Sequence, residues 1–384
     1  MLVQPRIESD CGLRAGSAAL WRLPRLALVA VCGSSMFLAA FEVCAARTTF
    51  AVIGDYGSDT PEATRVAEMV RGWNPDFVIT VGDNTYGDPN INVAEWERRI
   101  GQNYGEFILG RTDNRYPSQT SPTQRFFPSV GNHDVIDPVS DGAEPSPGPP
   151  YYTGSGAAIR PGYLDYFHTD PGRPGGRLPS GFHQPERSFY EFRWNEAHFF
   201  ALDSESAFFD SASAQQQATW LQTRALASDA AWKFVFFHHP SYSSGSHGSQ
   251  DHMQWPFAAW GISAVLTGHD HTYERVSHTG IPYFVNGLGG QAAYPFNNIL
   301  AESVVRYNEN HGAMRVSFDA RSVSFEFLAA VPDDAGGFTP TVIDGYELSA
   351  AVPEPAAWRQ LAISAACALV LAMRTLPRAK PRRR

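Results

Sequence analysis

The sequence predicts an α/β fold, and three observations carry that expectation. The first is a β-rich run, Thr48 to Ile53, followed by a helical pattern and a second apolar run, Phe77 to Val81. That spacing suits a βαβ unit. The second is a set of five apolar runs in the chain, which suit strands buried on both faces. The third is where those runs stop. Each ends in a short loop bearing carboxylate, amide or imidazole side chains, and open α/β sheets place their ligands at strand carboxyl ends. The 384 residues, 43% hydrophobic and 13% aromatic, are enough for one large or two medium globular domains.

The elements follow in order. The first strand ends at Gly54-Asp55-Tyr56-Gly57. Thr60 caps the next helix, Pro61 suits its first turn and Glu62 suits its dipole. Val66, Val70 and Trp73 give that helix an apolar face, and Pro75 ends it. The second strand delivers Gly82-Asp83-Asn84-Thr85-Tyr86-Gly87, and Val93 to Leu109 reads as another helix. Phe126 to Val130 is a third strand, ending at Gly131-Asn132-His133-Asp134. Asp137 to Arg187 holds ten prolines and nine glycines, so it reads as a long irregular insertion over the strand ends. It is either a solvated loop or a lid that shapes the substrate site.

Ser188 to Trp194 and His198 to Asp203 read as paired strands. Ala214 to Leu226 is a helix with Trp220 and Leu221 inward. Lys233 to Phe237 is a buried strand delivering His238-His239-Pro240, and a Ser/Gly loop with His247 follows. Ile262 to Leu266 ends at Gly268-His269-Asp270-His271. Ile281 to Val285 is a further strand, and Ala313 to Phe318 with Ser322 to Phe327 forms a hairpin. There are no internal repeats.

The two ends have a different composition. Residues 1–46 read as a secretion signal: Arg14, Arg22 and Arg25 precede an apolar stretch, Leu26 to Phe41, and Cys44-Ala45-Ala46 offers small residues for cleavage. All four cysteines lie near the ends, so the centre has no thiolate site or disulfide. Residues 47–352 contain 19 basic and 35 acidic residues. That charge disfavours nucleic acid as a partner, while small phosphorylated substrates stay compatible because bound metal changes the local field.

The five strand ends together present Asp55, Asp83, Asn132-His133, His238 and His269-X-His271. Oxygen and imidazole donors of this kind suit two borderline cations about 3.5–4 Å apart. Asp83 has two oxygens and can bridge them. His269 and His271 alternate along the chain, so both reach one site only if the backbone turns, which Gly268 permits.

These loops resemble those of the calcineurin-like metallophosphoesterases, and within them the purple acid phosphatases. The resemblance covers roughly residues 48–330. Tyr86, three residues after Asp83, and Thr272-Tyr273-Glu274-Arg275 are similar to the purple enzymes in particular. The resemblance implies a four-layer αββα sandwich of two mixed sheets flanked by helices. It implies that Asp55, Tyr86 and His271 bind a first metal, that Asn132, His238 and His269 bind a second, and that Asp83 bridges. A phenolate favours Fe(III) in the first position, with divalent Fe, Zn or Mn in the second. His238 is the ligand rather than His239, because the family's ligand stands two residues before the proline.

The expected reaction is hydrolysis of phosphate monoesters by a metal-bound hydroxide. The leaving alkoxide needs a proton, and His133 and His247 are the expected donors or phosphate binders, with His252 as an alternative. A phosphodiesterase or nucleotidase on the same core, or a non-catalytic metal-binding surface protein, are the competing expectations. Residues 352–384 carry Pro353-Glu354-Pro355, a mostly apolar run from Ala356 to Met373 and a basic end. They resemble a PEP-CTERM sorting signal, which implies an exosortase-type processing enzyme as partner. The plainer expectation is a C-terminal membrane anchor with its basic end in the cytoplasm.

Overall fold

The computed structural model describes residues 47–86, 93–109, 119–136 and 188–350, with positions 158, 159, 163, 166 and 167 between them. The stretches expected to be a secretion signal and a C-terminal sorting segment, and most of the proline-rich insertion, lie outside the described residues.

Strand β1 (Thr48–Ile53) enters first, and helix α1 (Pro61–Gly72) and strand β2 (Phe77–Thr80) complete the expected βαβ unit. Thr60 caps α1 by accepting the Ala63 N–H at 3.2 Å. The helix expected from Val93 to Leu109 is a broken helical run. α2 (Val93–Trp96) passes into a π-helical turn, Glu97–Gly101, then α3 (Gln102–Tyr104) and a 3-10 turn. Strand β3 (Phe126–Pro128) pairs parallel to β2, and β4 (Val135–Ile136) pairs with β5 (Ala158–Ile159). β6 (Tyr190–Trp194) and β7 (Ala197–Ala201) form the expected antiparallel pair. After them come α4 (Ser204–Phe209), α5 (Ser211–Ala227), β8 (Trp232–Phe236), β9 (Ala264–Thr267), β10 (Tyr273–His278) and β11 (Ile281–Asn286). The chain then adds β12 (Ser303–Tyr307), β13 (Gly312–Phe318), β14 (Ser322–Pro332) and β15 (Phe338–Ser349).

Two mixed sheets result. One has the order β15-β14-β13-β1-β2-β3, and the other β12-β10-β11-β9-β8-β7-β6. β1, β2 and β3 run parallel, and so do β7, β8, β9 and β11. The sheets pack face to face. Phe50, Phe77 and Phe127 of the first share one core with Phe192, Phe199 and Phe234 of the second. The alternate residues of β1, Ala51 and Ile53, face Val66 and Val70 of α1. Phe200 and Val235 face Leu221 and Ala225 of α5. This is the expected four-layer αββα sandwich. Burial on both faces explains the unbroken apolar runs. Ring contacts across the middle, Phe127 stacked on Phe192 at 3.8 Å and Phe50 edge-on to Phe199 at 5.2 Å, hold the sheets in register. Truncating one of these rings to alanine costs about 3–5 kcal/mol.

The insertion is more than a solvated loop. Tyr163, Tyr166 and Phe167 are buried against Trp96 and Phe126, and the Tyr166 hydroxyl donates to Glu97 at 3.1 Å. In α5, Leu221 points inward as expected, while Trp220 is only half-buried.

Candidate metal centre

The five ligand-bearing loops leave the parallel strands of both sheets. Three of their residues sit in the left-handed backbone region: Asp55 at φ +54°, Asp83 at +52° and His269 at +71°. Side chains other than glycine rarely adopt this conformation, at a cost of about 1 kcal/mol or more each. The strain turns each carboxylate or imidazole sharply out of its strand. The turn that brings His269 and His271 together is therefore at His269 and not at Gly268. Gly268 is needed for space, since a Cβ there would lie 2.6 Å from Asp55 Oδ2 and 2.7 Å from the Val81 carbonyl. Gly82 has both roles. Its φ is +89°, and a Cβ would fall 2.4 Å from His238 Nδ1.

Two pockets form around Asp83. In the first, Tyr86 Oη is 3.2 Å from Asp55 Oδ1 and 3.3 Å from His271 Nε2. The ligand atoms of Asp55, Asp83 and His271 all lie within 4.8 Å of one another. In the second, Asn132 Oδ1 is 2.9 Å from His238 Nε2 and 3.0 Å from His269 Nδ1. His238 Nε2 is also 3.3 Å from Asp83 Oδ1. All seven expected metal residues are thus brought together.

The donor set fits cations. His238 Nδ1 lies 2.8 Å from the Val81 carbonyl, which can only accept, so Nδ1 carries the hydrogen and Nε2 faces Asn132 and Asp83. His271 Nδ1 likewise donates to the Ala292 carbonyl at 2.9 Å, leaving Nε2 facing Asp55 and Tyr86. Acceptors converging on acceptors, buried, need positive charge between them. Without a metal, protons take that place. Burial, then the charges of Asp55 and Asp83, push the Tyr86 phenol well above its ordinary range. Burial works against His271, but its hydrogen bond to Asp55 and that residue's charge raise it. Burial, with His239 and His238 beside it, pushes His269 well below the ordinary histidine range.

His133 and His247 are both exposed at the rim. The His133 ring lies 4.4 Å from Tyr86, and its backbone N–H donates to Asp83 Oδ1 at 2.9 Å. The His247 ring stacks on His269 at 4.1 Å. His239 stays outside the pockets: its ring meets His269 edge-on at 4.3 Å, and its Nδ1 lies 3.1 Å from Glu205 without hydrogen-bond alignment. His252 lies beyond His239, at 5.3 Å.

Three supporting residues were missed in the sequence. Asp134 accepts from the backbone of Gly131, Asn84 and Thr85, clamping two ligand loops together. Asp270 accepts the His247 N–H at 2.8 Å and so fixes that loop. Tyr294 stacks on His271 at 4.0 Å and lies 5.4 Å from His247. The signal for the two carboxylates was their place inside the ligand motifs. Tyr294 gave none, because its segment has no periodicity.

The fold and this site define a class. The calcineurin-like phosphoesterase family matches residues 48–273, and the chain belongs to it. It is therefore a hydrolase of phosphoric ester bonds. Human tartrate-resistant acid phosphatase type 5 is 23% identical over 62% of this chain and 72% of its own length. Purple acid phosphatase 7 of Arabidopsis thaliana is 22% identical over 64% of this chain and 71% of its own. Among solved structures, a purple acid phosphatase from yellow lupin (Lupinus luteus) seeds superposes with a TM-score of 0.55 at 16% identity, over 79% of this chain and 54% of that one. GAP50, described as the anchor in the inner membrane complex of Plasmodium, reaches 0.52 at 15% identity, over 80% and 90%. At such identity the two structures speak for the fold alone.

Proposed function

We propose that the chain is an exported phosphomonoesterase of the acid phosphatase kind, working on two metal ions. The observation that carries this reading is the convergence of Asp55, Tyr86 and His271 on one side of Asp83 and of Asn132, His238 and His269 on the other. In this reading those residues hold the two cations and Asp83 is shared. Tyr86 favours Fe(III) in the first pocket, and the neutral donors of the second suit divalent Fe, Zn or Mn. Bound cations would make water acidic and offset charge on the phosphoryl oxygens.

The chain's own groups do the rest. The His133 and His269 backbone N–H groups hold Asp83 and Asp55 in place. His247 hands a proton to the leaving oxygen, and His133 receives a phosphate oxygen. Asp270 keeps His247 at the rim. The purified chain should hydrolyse phosphate monoesters faster than diesters, with two metals bound. Faster diester turnover would make it a phosphodiesterase, and a metal-loaded chain that turns over neither would be a non-catalytic binder.

Residues 1–46 serve export in this reading, and residues 352–384 act as a sorting signal cut near Pro355 by an exosortase-type enzyme. The mass of the mature C-terminus in the native host tests this. A chain truncated at residues 353–356 supports sorting, while one ending at Arg384 and held in the inner membrane is simply anchored.

A further inference from the structure

His247 is carried by residues 237–250, which contain no helix or strand. Contacts with the rest of the protein therefore set where its ring stands. Two fully buried carboxylates, Asp270 and Glu274, make those contacts. Asp270 accepts the N–H groups of His247 and Gly248 at 2.8 and 3.2 Å, and the Ser243 hydroxyl at 2.5 Å. Glu274 holds the loop three residues before His247. Its Oε2 accepts the Ser244 N–H at 2.7 Å, and its Oε1 accepts the Ser244 hydroxyl at 2.6 Å and that of Ser303. Glu274 stands in β10, three residues after His271. Side chains alternate along a strand, so Tyr273 enters the core between the sheets while Glu274 shares the opposite face with Val276.

Ser244 also holds the segment on the other side of His247. Its hydroxyl oxygen accepts the Leu300 N–H at 3.0 Å, and its carbonyl accepts the Asn297 N–H at 2.9 Å. In that segment the Tyr294 ring lies 5.4 Å from the His247 ring, and the Pro295 carbonyl accepts the Ser246 hydroxyl at 3.2 Å. One carboxylate thus ties three segments together: the strand that follows His269 and His271, the His247 loop and the chain around Tyr294. Bonds to a carboxylate are stronger than neutral pairs, so the tie is a firm one. Firmness matters at a reacting group, where a displacement of about 1 Å costs on the order of 10²-fold in rate.

From this geometry we infer that Glu274 is a positioning residue for His247: through Ser244 it fixes where the His247 ring stands beside the second pocket. The inference rests on the phosphomonoesterase reading, in which His247 protonates the leaving oxygen as its bond to phosphorus breaks. It adds to that reading the residue that aims the ring. Glu274 itself touches neither substrate nor metal in this role.

The test measures kcat and KM on glycerol phosphate and on nitrophenyl phosphate with the metal-loaded full chain. Glu274→Ala should keep both metals and lower kcat on glycerol phosphate about tenfold. Nitrophenyl phosphate should stay within about twofold, because its leaving group needs no proton. Glu274→Gln should recover most of the loss, since its amide oxygen can take the Ser244 N–H while its NH2 donates to the two hydroxyls. Ser244→Ala removes one hydroxyl only. It should move the ratio of the two esters the same way by about threefold, and it decides the matter where Glu274→Ala does not fold. In a His247→Ala background, Glu274→Ala should cost nothing further on glycerol phosphate, because both changes act through one group. An unmoved ratio, equal losses on the two esters, lost metal, or additive losses in the double variant each overturn the inference. A His247→Ala variant that slows both esters alike overturns it too, and leaves the phosphomonoesterase reading standing. Wild-type turnover of neither ester overturns both.

Discussion

The two pockets meet at Asp83 but are built from different chemistry. The first offers the Asp55 carboxylate, the Tyr86 phenol and one imidazole. The second offers an amide oxygen and two imidazoles, with no carboxylate of its own. Their proton affinities diverge accordingly. In the first, burial and the charges of Asp55 and Asp83 hold the proton on Tyr86, and Asp55 favours one on His271. In the second, burial and its histidine neighbours strip His269 of its proton well into acid. On the proposed two-metal reading, one centre would sort two cations. Anionic oxygen favours the harder ion, and neutral donors suit the softer divalent one.

The largest effect is expected where the pockets are joined. Asp83→Asn should cut turnover by at least about 10³-fold and empty the site, read by metal content and phosphate release. Near-normal activity with two metals bound would mean that Asp83 is not shared. His238→Ala touches the second pocket alone. It should lose the divalent ion, keep the first, and lower turnover about 10²-fold. Loss of both ions together would show that the pockets fill as a unit.

His247→Ala should keep both metals and slow alkyl phosphates about 10²-fold, with nitrophenyl phosphate affected far less. Equal losses on the two esters would remove it as the proton donor. Tyr86→Phe is the matching change in the first pocket. It should abolish a visible charge-transfer band and cost about tenfold in turnover. A colourless active wild type without iron would leave the first pocket with an ordinary divalent ion.

The smallest effect is on stability. Burial, then the charge of Asp83, pushes Asp134 up to about 7 in the metal-free site. Its folded pKa thus lies above its unfolded value, so the stability linked to that proton is complete at low pH and lost as pH rises through 7. Chelation should therefore lower Tm by a few degrees more at pH 8 than at pH 5, roughly as expected from 1 kcal/mol in a domain of this size. A chelation effect independent of pH would assign Asp134 no part in holding the charge balance.

Much of this was legible in the residues. Apolar runs that stop at Gly-Asp, Gly-Asn-His or His-His mark strand ends, because burial on both faces forbids polar residues until the chain emerges. Less legible were the regions that lack this local contrast. β15 is largely exposed, so its composition carries no strand signal, and only its pairing with β14 defines it. The buried Tyr163, Tyr166 and Phe167 sit among prolines and glycines that read as loop.

The sequence by itself determined the α/β class, the strand-end loops and the ligand types, since each is written within a few consecutive residues. Only the tertiary structure decided how they meet. His238 reaches Val81 and Asn132 because the two sheets stack face to face with their parallel strands ending on one edge. Likewise, that His269 rather than Gly268 takes the strained turn follows from contacts between segments far apart in the chain. Local pattern cannot encode such distances, because close packing between the layers, not propensity, sets them.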